Sequence, residues 1–202
     1  MQAEMWLMAV GDFIDLESLE PHQTMRGQEK LVRWDPSMRH VFFVSHQWTS
    51  FDHPDHTQHQ LRTFQALLRR MMNGTCPETT PSLTDAGLFK TADRITSDNW
   101  RKIVDGAHIW CARAATAPRV LLACYVVTLL VVRRMDFFSV PQKGLYYTPR
   151  TPGTTAELFK SISSIPAYIE CCSHFFVLCP TIQHKEFADI SCGFGSWGRR
   201  SW

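Results

Sequence analysis

Short, continuous apolar runs constrain this chain more than any other feature. His40-Val41-Phe42-Phe43-Val44-Ser45 and His174-Phe175-Phe176-Val177-Leu178-Cys179 are rich in β-branched and aromatic residues, and each gives way to polar or proline-containing sequence. Such runs suit strands buried on both faces, as in a parallel sheet. A further run is split. Ala107-His108-Ile109-Trp110 and Met135-Asp136-Phe137-Phe138 each read as half of one strand, with Cys111 to Arg134 between them. Phe43, Phe137 and Phe176 are therefore expected on neighbouring parallel strands.

Helical spacing separates these runs. Leu61, Phe64, Leu67, Leu68, Met71 and Met72 recur at three- and four-residue steps, with Arg62, Gln65, Arg69 and Arg70 on the other side. Asn73-Gly74 is a natural stop, because both residues tolerate the left-handed conformation. Thr96 or Ser97 can cap a short helix through Trp100, Ile103 and Val104. Leu158, Phe159, Ile162 and Ile165 predict another helix, which Pro166 should end, kink or restart. Residues 75–90 and 143–155 read as loops, and the tail from Asp189 to Trp202 has no clear period. The order strand–helix, strand–helix, strand–loop predicts an α/β fold, a parallel sheet with helices on both faces. Ligands in such folds bind at the carboxyl ends of the strands. Chemistry is thus expected in the loops after Val44, after Trp110 or Met135, and after Leu178.

Composition excludes several classes. With 202 residues, 45% hydrophobic and 20% charged, the chain can bury a core and is not disordered. A formal net charge of +2 and no Lys/Arg block argue against nucleic acid or an acidic membrane as partner. The longest uncharged apolar run, residues 120–132, falls short of the about twenty residues a membrane-spanning helix needs. The N-terminus is a poor signal peptide. Seven cysteines at irregular spacing do not form a disulfide framework, and a reducing, cytoplasmic setting is expected.

Certain blocks resemble the TIR-like domains (Toll/interleukin-1 receptor homology) of protist proteins. VFFVSHQWTSFDHPDHTQHQLRTFQALL (41–68) is similar to the first strand, its loop and the first helix. MDFFSVPQ (135–142) is similar to the second strand and loop, and AELFKSISSIPAYIECCSHFFVLCP (156–180) with SWGRRSW (196–202) to the helix and strand before a Trp-Cys-x-x-Glu motif. The resemblance implies a flavodoxin-like three-layer fold with a central parallel sheet, incomplete at the C-terminus. Residues 1–39 then form an N-terminal extension and residues 40–202 the domain, with an insertion at 111–134 that is either a retained intron or a true insert. The implied function is an intracellular protein-interaction and signalling module that self-associates or docks to other TIR-like domains. The alternative is an NAD glycohydrolase. In NAD-cleaving TIR domains a glutamate follows four residues after the motif tryptophan. Trp202 matches that tryptophan and ends the chain, so no catalytic residue is assigned. NAD remains a possible substrate or ligand, and no cofactor or metal is expected.

The candidate nucleotide- or partner-binding residues are Ser45, His46, Trp48, Asp136, Ser139 and Trp202. Trp48 could stack on a base, or pack the edge of the core while Ser45 and His46 cap a loop. Asp136 could bind ribose hydroxyls or cap a turn. His53, His56 and His59 have some of the chemistry of a zinc site, but their spacing favours a solvated loop. Cys171 and Cys172 read as packing residues, and Cys192 as a more exposed thiol. Neither a glycine-rich phosphate loop nor a Ser-His-Asp order stands out.

Overall fold

The apolar runs meet in one sheet. A computed structural model of the chain describes residues 3–50, 53–80, 94–113 and 152–198. In chain order the elements are β1 (Trp6–Ala9), α1 (Val10–Ile14), α2 (His22–Gly27), β2 (Val32–Arg33), β3 (Val41–His46), α3 (His59–Met72), α4 (Ser97–Val104), β4 (His108–Arg113), α5 (Pro152–Glu170), β5 (His174–Leu178), β6 (Ile182–Gln183), β7 (Ser191–Cys192) and α6 (Phe194–Gly198). The five-stranded sheet has the order β2-β1-β4-β3-β5, and β6 and β7 form a separate antiparallel pair.

β3 lies parallel to both neighbours, with Phe43 opposite Trp110 on β4 and opposite Phe175 on β5. Its position explains its composition. A central strand covered on both faces buries every side chain, so it reads as a continuous apolar run rather than an alternating one. Phe42 and Val44 belong to one buried cluster, with Leu61, Phe64, Leu68 and Met71 of α3 and Trp100 and Val104 of α4. Val41 and Phe43 belong to the other, with Trp110 of β4 and Ile165 and Tyr168 of α5. The fold is thus α/β with a mostly parallel sheet. Phe43 and Phe176 lie on neighbouring parallel strands. Phe137, expected beside them, lies outside the described residues, and β4 supplies the neighbouring strand instead. That strand runs on through Arg113, three residues into the segment read as an insertion.

The helix ends follow local chemistry. Thr96 caps α4, its hydroxyl accepting from the Asn99 backbone N–H at 3.2 Å. Asn73 closes α3, and Gly74 takes a φ of +66°, where a side chain would be strained. Pro166 does not end the helix, since α5 is continuous through it to Glu170. A proline inside a helix costs about 3 kcal/mol. The fully buried Ile165 and Tyr168 on either side offset that loss by packing against the sheet.

The N-terminal residues add to the sheet rather than standing apart from it. β1 pairs antiparallel with β4, Met8 opposite Ile109, and β2 pairs antiparallel with β1. The polar side of α3 carries this segment. Gln65 is 0% exposed, and its Nε2 donates to the carbonyls of Phe13 at 3.0 Å and Leu16 at 2.9 Å. Arg62 donates to Leu16 and Glu17 and Arg69 to Ile14, again through backbone carbonyls. A glutamine gives no sign in sequence that its partners are carbonyls some fifty positions away. Among the described residues, no helix is long and apolar enough to cross a membrane; the 120–132 run lies outside them.

Candidate functional site

The carboxyl end of β3 gathers half of the predicted site residues. Ser45 and His46 end the strand, in register with Ala112 and Arg113 of β4 and with Val177 and Leu178 of β5. Trp48 follows two residues on. Asp136, Ser139 and Trp202 lie outside the described residues.

The loop after β3 is built from buried polar groups rather than solvated ones, which corrects the sequence reading of the His53–His59 stretch. Gln47, Thr49, Ser50, Asp55 and Gln60 are all buried. A loop buried this deeply must pair its polar groups internally. Thr49 Oγ1 lies 2.8 Å from His56 Nδ1 and 3.3 Å from the Pro54 carbonyl. Ser50 Oγ donates to the His53 carbonyl at 2.8 Å, and His53 Nδ1 accepts from the Asp55 N–H at 2.9 Å. Gln60 Nε2 donates to the carbonyls of Gln47 and Pro54. The histidines thus fold the loop, and His59 alone of the three is exposed, on α3. Among the described residues no group of three His, Cys, Asp or Glu is placed to hold a metal.

Asp55 ties the loop to α3. It is 0% exposed, and its Oδ2 accepts from the Leu61 N–H in the first turn of α3 at 2.8 Å. The positive end of a helix dipole favours a carboxylate there. Gln58, just before the helix, adopts a left-handed φ of +58°, a strained conformation for a side-chain-bearing residue that the turn around Asp55 enforces. Asp55 Oδ1 and Gln60 Oε1 are buried acceptors with no hydrogen-bond partner among the described residues.

The last described segment closes over this strand end, a feature the aperiodic tail did not announce. Trp197 Nε1 donates to Ser45 Oγ at 3.2 Å. Gln47 is held twice, its Nε2 donating to the Gly193 carbonyl at 3.0 Å and its Oε1 accepting from Ser196 Oγ at 3.0 Å. The Lys185 N–H donates to the Thr49 carbonyl at 2.9 Å. Cys192, expected to be exposed, is 2% exposed, and its Sγ–H donates to the Trp48 carbonyl at 3.6 Å. Ser45, His46 and Trp48 are consequently 7%, 5% and 6% exposed. The Trp48 ring has no open face on which a base could stack, and the Ser45 hydroxyl is engaged as an acceptor by an indole.

Four further groups with shifted titration lie on or between β4, α5 and β5. Burial, with His40 nearby, lowers the pKa of His174. Burial also lowers that of His108, against a backbone hydrogen bond to Gly106 that raises it. Cys171 and Cys172 are free and pack against the second cluster, and burial raises both thiol pKa values, so neither is poised as a nucleophile.

The fold and this strand end together define an α/β protein whose central strand is closed over by its own chain. No family model, no curated protein and no solved structure matches it.

Proposed function

We propose that the chain is a TIR-like, flavodoxin-like interaction module that acts in intracellular, cytoplasmic signalling by self-association or by docking to other TIR-like domains. Two features support the flavodoxin-like part of the reading. The parallel strands follow one another across the sheet as β4-β3-β5, second, first and third along the chain from Val41, which is how the 2-1-3-4-5 order of such folds begins. Helices α3 and α4 pack with one cluster and α5 with the other. Free thiols at Cys76, Cys171 and Cys172 fit a reducing compartment.

The observation that carries the choice of module over enzyme is the closed strand end. In an open α/β sheet a nucleotide binds outside the carboxyl ends of the strands. Here Ser45, Gln47, Trp48 and Thr49 spend their hydrogen bonds on residues 185–197 of the same chain. Incubation of the purified protein with NAD is expected to release no nicotinamide. Light scattering across a concentration series is expected to show a mass that rises with concentration. Steady nicotinamide release would reverse the first expectation and restore the glycohydrolase reading.

A further inference from the structure

The segment that closes the carboxyl end of β3 is a small unit of its own. β6 and β7 pair with each other, Ile182 opposite Cys192 and Gln183 opposite Ser191. The His184 N–H donates to the Ile190 carbonyl at 2.9 Å and the Trp197 N–H to the Gly193 carbonyl at 2.9 Å, which ties β6, β7 and α6 together. Directional hydrogen bonds hold this unit to the end of β3 and the loop after it. They run from the Trp197 indole to Ser45, between Gln47 and both Gly193 and Ser196, from the Lys185 N–H to Thr49, and from the Cys192 thiol to Trp48.

Cys179-Pro180-Thr181 joins the unit to β5 and has no regular structure. Proline fixes its own φ and biases the residue before it toward extended backbone. Extended backbone is what this hinge needs when the unit leaves its own strand end. A short hinge of this kind between a folded body and a separable element favours exchange of that element between copies. Of the five large apolar side chains exposed among the described residues, three lie on the unit: Phe187, Ile190 and Phe194. The unit thus carries apolar area that the closed monomer leaves in water and a second copy can cover.

We propose that two copies of the chain exchange this unit, residues 182–198 of each closing the β3 strand end of the other. The inference rests on the self-association reading above and names the surface and the occupant that perform it. The occupant is known to fit, because the same residues close the same strand end within one chain. Each of these hydrogen bonds forms alike whether donor and acceptor belong to one copy or to two. The exchanged dimer and the closed monomer then differ in the hinge, in the freedom lost on association and in the contact made by Phe187, Ile190 and Phe194. Protein concentration therefore sets which form prevails. From Leu178, the end of β5, to Ile182, the start of β6, the extended chain spans at most about 14 Å. The two copies consequently meet at the carboxyl ends of their β5 strands. Each gives its unit and receives the other's, so the assembly closes at two.

Sedimentation velocity combined with nuclear Overhauser contacts between differently labelled copies tests this on the full chain. Nitrogen-labelled and carbon-labelled protein are incubated together at high concentration. The expected result is a dimer in which the Lys185 amide of a nitrogen-labelled copy contacts Thr49 of a carbon-labelled one. A Gly-Ser-Gly-Ser insertion between Pro180 and Thr181 lengthens the hinge and favours closure within one chain. It should weaken the dimer at least tenfold, with the far-ultraviolet circular dichroism and the slow exchange of the Lys185 amide retained. If that variant does not fold, the contact between labelled wild-type copies decides by itself. A dimer in which Lys185 contacts Thr49 of its own copy alone overturns the exchange and leaves self-association standing. A chain that stays monomeric at every concentration overturns both.

Discussion

The N-terminal segment packs on the helix that follows the central strand and the C-terminal segment on that strand's carboxyl end, by different physics. Residues 5–25 attach by apolar burial. Met5, Leu7, Met8, Phe13 and Met25 are at most 2% exposed, and Phe13 meets Phe64 edge-on with ring centroids 5.6 Å apart. Residues 182–197 bury few apolar side chains (Ile182, Cys192 and Trp197) and attach also through hydrogen bonds to Ser45, Gln47, Trp48 and Thr49, while Phe187, Ile190 and Phe194 stay exposed, the last at 69%. Net hydrogen bonds contribute about 1 kcal/mol each, and a buried aromatic side chain several times that. The first segment is therefore part of the cooperative core. The second is a latch whose opening costs less than global unfolding.

That contrast can be broken most strongly at Phe13. Phe13→Ala should cost about 3–5 kcal/mol of global stability, read as a lower urea midpoint with an unchanged slope. A loss under about 1 kcal/mol would mean the N-terminal segment is not part of the core. The latch should respond more weakly. Trp197→Phe removes the indole N–H that reaches Ser45 and should cost about 0.5–1.5 kcal/mol. Its effect should appear as faster amide exchange at Lys185 and Trp197 while β3 amides stay protected. Simultaneous loss of protection in β3 would show that the two segments unfold as one.

The smallest effect expected is one of pH. Burial lowers the pKa of His174 and of His108 in the folded chain. The unfolded chain, titrating near pH 6.5, then binds protons that the folded chain does not. The stability these two residues contribute is complete above about pH 6.5 and is lost as pH falls through their lower folded values. His108 is paired with Ala9 of β1, and His174 lies on β5. Urea midpoints measured between about pH 7 and 5 should fall with acidity. In His174→Asn the fall should shrink without disappearing, since His108 still titrates.

Much of the frame was legible before any coordinates. The strand at Val41, the strand at His174, the stripe from Leu61 to Met71, the stop at Asn73-Gly74 and the cap at Thr96 are local or periodic signals. Each depends on residues within a few positions of one another. The candidate site was legible only as a place. Ser45, His46 and Trp48 do share a strand end, but their burial comes from Lys185, Cys192, Gly193, Ser196 and Trp197, and no periodicity marks those residues as a cover. Whether α5 continues across Pro166 was left open for a related reason, because the cost of proline is local while the compensation from Ile165 and Tyr168 is tertiary.

The sequence by itself determined the α/β class and which segments become strands and helices, because side-chain size, branching and spacing act over a few residues. Only the tertiary structure decided that residues 5–33 extend the sheet, that Gln65 faces inward, and that the end of β3 is closed by residues from the far end of the described chain. Those outcomes depend on hydrogen bonds and contacts between residues from about twenty-five to more than a hundred positions apart, and long-range pairings of that kind leave no local pattern to read.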